Sequence, residues 1–369
     1  MRDQKICSLS DIKISSVPGV EINELLKLMV DKGASDVHIT VPSPPVLRIE
    51  GELVVQEDLP PFTPKDIQSI FEQIATDEQK AAFHRELELD FAYSIPGLAR
   101  FRVNVLQQRG SMSLAFRRIP FKAPSIDELG LPQICKDLIV KPRGLVLITG
   151  SAGSGKSTTL AAMINHLNET KRRNVITIED PIEFLFRNNK CIIRQRDLGY
   201  DTKSFYTALV HALRHDPDVI IIGEMRDLPT ISTAITAAET GHLVLGTMHT
   251  VDSAQSVDRI IDIFPAAQQP QIRLQLSQVI EAVLSQVLLS RNGGGRIAAF
   301  EIMLATSGIR RLIREGKVYE IPANLETGST EGKRTIDQAL ADLVKTNIVA
   351  KEEAMMKSSN PAKLNELLR

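Results

Sequence analysis

The sequence predicts an α/β protein of two domains: a smaller α+β domain, then a parallel sheet with crossover helices. Three observations carry that prediction. At 369 residues the chain exceeds one ordinary core, since domains run to about 100–200 residues. From residue 143 onward, near-continuous apolar runs alternate with helical segments, the texture of strands buried on both faces. Before that point the strands alternate apolar and polar residues, as half-buried strands do.

In chain order, residues 1–18 are polar and mixed and read as a flexible extension. Leu25, Leu26, Leu28 and Met29 then lie on a short helical pattern stopped at Lys32-Gly33. DVHITV reads as a strand, and VLRIEGELVV as two strands about Glu50-Gly51, a hairpin signal. Residues 64–86 read as helical, and DFAYSI, ARFRVNVLQQ and SMSLAFRRI as three further strands. This domain is assigned to residues 19–118. Pro120, Pro124, Pro132 and Pro142 mark residues 119–142 as a linker around a short helix. The second domain, residues 143–369, carries the runs GLVLITG, NVITIED, DVIIIGE and HLVLGTMHT. Residues 270–290 and 335–369 read as helical, with IAAFEIML a strand between them.

Composition narrows the function. With 44 Lys+Arg against 45 Asp+Glu, the chain is neither a grossly basic nucleic-acid binder nor an acidic disordered one. Aromatics make up 4% and Trp is absent, which argues against surfaces built on base stacking. Cys7, Cys135 and Cys191 are odd in number and contain no CxxC pair. They indicate neither a zinc site nor a disulfide framework and fit a reducing, cytoplasmic compartment. No apolar run reaches membrane-spanning length or signal-peptide form, so membrane contact is expected only through a partner.

Gly150-Ser151-Ala152-Gly153-Ser154-Gly155-Lys156-Ser157 is a complete G-x-x-x-x-G-K-[ST] loop. It follows an apolar strand and precedes the helical TTLAAMINHL. The glycines let successive N–H groups converge on phosphate at a helix N-terminus. Lys156 would reach the β- and γ-phosphates, Ser157 would ligate Mg²⁺, and Thr158 is placed to meet the α-phosphate. Two other strands end in acids: NVITIED in Glu179 and Asp180, followed by Glu183, and DVIIIGEMRD in Glu224, beside Arg226 and Asp227. Parallel sheets bind ligands at their carboxyl ends. Phosphoryl transfer needs one carboxylate to orient water and another near the metal shell. Glu224 could instead pair with Arg226, and Asp180 and Glu183 could cap the next segment. His242 and His249 lie seven residues apart in a strand pattern. That odd spacing places them on opposite faces and argues against a shared metal; one of them could contact the γ-phosphate region.

The segments GSAGSGKST, TIEDPIEF, DPDVIIIGEMRD and TAAETGHLVLGTMHT, in this order, closely resemble the Walker A, Asp box, Walker B and His box of the secretion ATPases of type II secretion and type IV pili. Within them the chain is most similar to the pilus retraction ATPases, the PilT family. ASDVHIT, ARFRVNV, RGLVLITG and SVDRIIDIFP extend the resemblance over roughly residues 20–350. The additional N-terminal domain and tetracysteine motif of the extension ATPases have no counterpart here. Residues 308–315 read GIRRLIRE against a family motif of the type AIRNLIRE, departing at Gly308 and Arg311.

The resemblance implies a homohexamer whose subunits carry an N-terminal PAS-like domain and a RecA-like P-loop ATPase core. It implies ATP with Mg²⁺, bound between the domains and completed by a neighbouring subunit. Glu179 would be the general base, Glu224 would act on the metal shell, and His242 and His249 would sense nucleotide. Arg100, Arg102 and Arg117 would reach the phosphates; the first two share a strand face. The implied work is pilus retraction through an inner-membrane platform protein, at the inner face of the cytoplasmic membrane. An assembly or secretion ATPase and an accessory retraction paralogue stay open as alternatives. A nucleic-acid translocase is disfavoured by a pI near 6.7, and a ring that gates without turnover by the complete acids.

Overall fold

The computed structural model describes residues 21–120, 123–328 and 332–369. The extension expected over residues 1–18 lies outside the described residues. The chain divides into two compact units, Met1–Pro120 and Phe121–Arg369.

The first unit runs α1 (Ile22–Asp31), β1 (Asp36–Ile39), β2 (Val46–Ile49), β3 (Glu52–Val55), α2 (Pro64–Ile74), α3 (Asp77–Glu86), β4 (Glu88–Ile95), β5 (Ala99–Gln108) and β6 (Ser111–Ile119). Its six strands form one sheet in the order β3-β2-β1-β6-β5-β4, and every pairing is antiparallel. The helix expected over 64–86 is two helices. Ala75 leaves α2 in an extended conformation, and Thr76 opens α3 with a reciprocal capping box to Gln79. On β5, buried Phe101, Val103 and Val105 alternate with Arg100, Arg102 and Asn104. The first set joins Val37, Leu47, Leu114 and Phe116 in the core. The second belongs to the opposite face, where register aligns Arg102, Arg117, Asp36 and Arg48 across four strands.

The second unit begins with α4 (Ile134–Ile139) and continues through β7 (Gly144–Thr149), α5 (Lys156–Thr170), β8 (Asn174–Glu179), β9 (Ile192–Asp197), α6 (Phe205–Ala212), β10 (Val219–Ile222), α7 (Leu228–Glu239), β11 (Leu243–Met248), α8 (Ser253–Asp262), α9 (Gln269–Val279), β12 (Ile280–Ser290), β13 (Arg296–Leu304), α10 (Ser307–Glu315), α11 (Ile321–Thr327), α12 (Ile336–Lys345), α13 (Lys351–Lys357) and α14 (Pro361–Leu367). Its sheet has the order β13-β12-β7-β11-β10-β8-β9. All neighbours are parallel except β12 and β13. Leu145 and Leu147 pack with α6 to α10 on one face, and Val146 and Ile148 with α4 and α5 on the other. That two-sided burial explains the unbroken apolar run.

The structure also departs from the sequence pattern in three places. Residues 270–290 are not one helix: α9 ends at Val279 and Ile280–Ser290 is β12, hydrogen-bonded to both β7 and β13. Its apolar residues are buried on both faces, so neither the helical nor the strand period stands out. Strand β9 escaped notice because IIRQRD is a polar edge strand whose place is set by pairing with β8. The segment expected as a linker belongs largely to the second unit. Ile126, Leu131, Cys135, Leu138 and Ile139 are buried against β7 and α5, and burial pushes the Cys135 thiol up to about 12.

Candidate functional site

The register of the sheet places four candidate segments at one edge. Ile178, Ile222, Gly246 and Leu147 occupy one row across β8, β10, β11 and β7. The residues just beyond that row therefore project together from the carboxyl edge: Glu179, Glu224, His249 and the 150–157 loop.

The loop leaves β7 at Gly150 (φ 142°) and enters α5 through Gly155 (φ 92°), conformations suited to glycine. Ser151, Ala152 and Gly153 are exposed, Ser154 and Lys156 are buried, and Ser157 and Thr158 are half-buried. The Lys156 ammonium donates to the carbonyls of Gly150 (2.7 Å) and Ser151 (2.9 Å). Burial lowers its pKa, opposed by the nearby Glu224 and Glu183 carboxylates. Ser157 Oγ donates to Glu183 Oε1 at 3.1 Å, so Glu183 faces the loop rather than capping the next segment. From behind, buried Gln286 on β12 donates to the Ser154 carbonyl (2.6 Å) and accepts from Thr159 Oγ1 (2.8 Å).

Glu179 ends β8. It accepts from Thr177 Oγ1 (2.5 Å) and Gln195 Nε2 (3.0 Å). Burial raises its pKa, and hydrogen bonds from Thr177, Gln195 and the Glu183 backbone only partly offset the effect. A cavity of about 60 Å³ opens beside it, lined by Ser157, Glu179, Asp180, Glu183, Gly223 and Thr247. That space admits ordered water next to the carboxylate.

Glu224 follows β10 and is clasped by the Arg226 guanidinium, and His249 Nε2 lies 3.1 Å from its Oε1. Burial opposes ionisation of Glu224, but bonds from Arg226 and His249 outweigh it and hold the carboxyl below its ordinary range. The pairing with Arg226 read from the sequence as an alternative is thus present, together with a link to the histidine. Thr247 Oγ1 donates to the Gly223 carbonyl, and Met225 N to the Thr247 carbonyl (3.0 Å). These bonds tie the Glu224 segment to β11.

His242 is not in this group. The two histidines do not sit on opposite faces of a strand; they bracket β11 at opposite ends. At about 3.3 Å per residue, roughly 20 Å separates them. His242 Nδ1 lies 2.9 Å from the Ala237 carbonyl, and the His242 carbonyl accepts from Gly144 N, so it belongs to the amino edge of the sheet. We expect His249→Ala to perturb nucleotide affinity and turnover. His242→Ala should leave the affinity of the isolated subunit for ATP within about threefold, under the ~0.7 kcal/mol at which a distant group is silent. Fluorescent-nucleotide titration of both variants checks this.

In the first unit, Arg117 Nε donates to Asp36 Oδ1 (2.7 Å) and Arg102 Nε to Asp90 Oδ1 (3.4 Å). Arg100 lies on the same strand face as Arg102. Burial works against the Asp36 charge, yet bonds from Ser35 and Arg117 hold its pKa low. Arg102 and Arg117 thus already have carboxylate partners.

On α10, Ile309 and Ile313 are fully buried, and Arg310 donates to the carbonyls of Ser277 (2.9 Å) and Gln278 (2.8 Å) and to Glu281 Oε1 (2.8 Å). Of the two departing positions, a Cβ at Gly308 would meet only ordinary contacts, and Arg311 is exposed and paired with Glu315 (2.7 Å). Neither alters the packing of the helix.

Several residues of the site were missed in the sequence. Thr177 was within reach, because it shares a strand face with Glu179 at a spacing of two. Gln195 and Gln286 come from the strand not recognised and the strand read as helix, so no local signal marked them.

The sequence pattern of the family described as "Type II/IV secretion system protein" matches residues 19–356. The chain belongs to this family. Among relatives of the family member described here, the type IV pilus "retractation ATPase PilT" of Pseudomonas aeruginosa is 46% identical over 342 residues, 93% of this chain and 99% of that protein. A "twitching motility protein" of Neisseria gonorrhoeae is 45% identical over 317 residues, 86% of this chain and 84% of its own length. The crystal structure of the pilus retraction motor PilT with bound ADP superposes with a TM-score of 0.87 at 43% identity, covering 94% of this chain and 99% of that one. The RecA-like core with an N-terminal domain expected from the resemblance is the architecture of this family member.

Proposed function

We propose that this chain is a motor ATPase that drives retraction of type IV pili, working as a homohexameric ring on an inner-membrane platform protein. The observation that carries the reading is the convergence of the 150–157 loop, Glu179 and Glu224–His249 at one sheet edge, in a chain alignable along nearly its whole length with a retraction ATPase.

ATP phosphates would lie against the loop amides and the α5 N-terminus, with Lys156 exchanging its loop carbonyls for phosphate oxygens. The oxygen donors suit Mg²⁺, which keeps several waters and takes few protein ligands. Consistent with that, no cluster of three or more His, Cys, Asp or Glu side chains among the described residues forms a cage. Ser157 would hold the ion directly and Glu224 through water, and the bound ion would neutralise charge on the β- and γ-phosphates. Glu179 would take a proton from water as the water oxygen bonds to the γ-phosphorus; the bond to the β–γ bridging oxygen breaks and ADP leaves. Its burial suits the role, since a carboxylate of raised pKa is a stronger base. His249, bonded to Glu224, would register whether the γ-phosphate is present. Arg100, Arg102 and Arg117 would complete a neighbouring site by exchanging their present partners, Asp90 for Arg102 and Asp36 for Arg117 among them, for phosphate. Loss of the γ-phosphate would release that clamp and convert turnover into domain motion.

None of the helices among the described residues is long and apolar enough to cross a membrane, which fits attachment through a partner at the cytoplasmic face.

Deleting the gene in a piliated host tests the reading. Loss of a retraction motor leaves pili extended and cells immobile. Loss of an assembly motor leaves no pili, and loss of an accessory paralogue leaves the principal motor still retracting them. With purified protein, Mg²⁺-dependent ATP turnover per subunit should rise with concentration and then level off. Tight, steeply salt-dependent DNA binding would instead favour a translocase.

A further inference from the structure

The phosphate-binding loop is held from behind by Gln286, 132 positions downstream of the Ser154 that it bonds. Gln286 on β12 is 2% exposed. Its Nε2 donates to the Ser154 carbonyl at 2.6 Å, and its Oε1 accepts from Thr159 Oγ1 at 2.8 Å. One amide thus bridges the loop and the first turn of α5. The same strand closes against the start of the loop: a Cβ at Gly150 would stand 2.3 Å from the Gln286 carbonyl oxygen, and one at Gly155 would stand 2.9 Å from Gln286 Nε2. Ser285, the preceding residue, accepts from Thr149 Oγ1 at 2.9 Å, fixing the level of β12 beside the end of β7.

The chemical consequence follows from peptide geometry. In a planar trans peptide the C=O and N–H point in opposite directions. Drawing the Ser154 carbonyl back toward β12 therefore turns the Gly155 N–H forward, into the concave side of the loop. Phosphate binding at such loops depends on N–H groups converging there, and amides aligned beforehand need no reorganisation when the anion arrives.

We propose that Gln286 is a positioning residue for nucleotide binding, setting the orientation of the Ser154–Gly155 peptide that faces the phosphates. It touches no phosphate itself and acts through the loop. The proposal rests on the 150–157 loop being the nucleotide site.

The test measures ADP affinity of the full chain by calorimetry or fluorescent-nucleotide titration. Gln286→Met keeps length and apolar bulk but removes both hydrogen bonds; ADP affinity is expected to fall about tenfold, equal to ~1.4 kcal/mol, in a protein that still unfolds cooperatively. Gln286→Glu places a carboxylate against the Ser154 carbonyl near neutral pH and is expected to weaken ADP more. As pH falls, a protonated carboxyl can donate to Ser154 again, so affinity relative to wild type at the same pH should recover. A merely structural role would not produce that recovery.

A folded Gln286→Met protein with ADP affinity within twofold of wild type overturns the proposal, as does a pH-independent ratio for Gln286→Glu. Should neither variant fold, Thr159→Val frees one end of the Gln286 amide at nearly constant volume. About threefold weaker ADP binding is then expected, and unchanged binding overturns the proposal. Lys156→Ala separates the two levels. If it keeps wild-type ADP affinity, the loop is not the nucleotide site and both readings fall. If it loses affinity while Gln286→Met retains it, only the role of Gln286 falls.

Discussion

Glu179→Gln is expected to lower the rate constant for ATP hydrolysis by about 10²–10⁴-fold, the usual contribution of a positioned general base, with ATP affinity little changed. The amide can still accept from Thr177 and donate within the site, so the shape of the cavity survives. Only the ability to take a proton is lost. The pH dependence gives a second readout. Burial raises the Glu179 pKa, and the base must be ionised to act. Turnover of the wild type should therefore fall, on lowering the pH, at values above the ordinary carboxylate range, and the variant should lack that acid limb.

The stability sign runs the other way and guards against a trivial explanation. A carboxyl whose folded pKa is raised contributes stability in its protonated form, present at low pH and lost as pH rises through the folded pKa. At neutral pH the buried charge is a burden that the neutral amide removes. Glu179→Gln should thus melt no lower than wild type at pH 7–8 while losing its turnover. Thermal melts beside single-turnover assays check both halves. Wild-type turnover in the variant would remove Glu179 from the role of base.

Gly150→Ala is expected to weaken nucleotide binding by roughly 10²-fold or more. Its φ of 142° lies where side chains are strained, and the added methyl would stand 2.3 Å from the Gln286 carbonyl oxygen and 2.7 Å from Ser154 Oγ. Backbone strain and steric overlap contribute about 1–3 kcal/mol each. Relieving them by moving the loop away from β12 translates to roughly 10²-fold or more in affinity. Gly153→Ala is the informative contrast: its φ is 75° with nothing within 4 Å of the new Cβ. It should bear only the left-handed penalty of about 1–2 kcal/mol. Equilibrium titration with ADP, beside thermal melts, measures both. Equal behaviour of the two variants would mean that the contact with β12 does not govern the loop.

Much of the site was legible because its parts are local. The 150–157 loop is a continuous string whose glycines answer local backbone demands, and the strand before it shows two-sided burial in its composition. Glu179 and Glu224 were legible because a carboxylate at or just past the end of an apolar strand lies at a carboxyl edge whatever the neighbours are. The Thr76–Gln79 box that divides α2 from α3 is equally local, yet the helical texture of residues 64–86 masks it.

The histidines show where local reasoning ends. Counting residues between His242 and His249 decides their faces only if both lie inside one strand. The strand proved to be six residues long, so the two side chains fall off its opposite ends. Arg102 and Arg117 were recognised as a type of residue, but their carboxylate partners come from strands brought alongside by the sheet.

From residue types and spacing alone, the chain determined its two-part α/β organisation, its glycine-rich 150–157 loop and the two acids that share its edge. Each depends on interactions within a few residues or on one strand's burial. Only the tertiary structure decided that Ile280–Ser290 is a strand, that IIRQRD closes the sheet edge, and that Gln286, Thr177 and Gln195 stand around the loop and Glu179. Those outcomes depend on hydrogen bonds between segments far apart in sequence. A backbone buried on both sides has no surface pattern of its own to announce which of those bonds it will make.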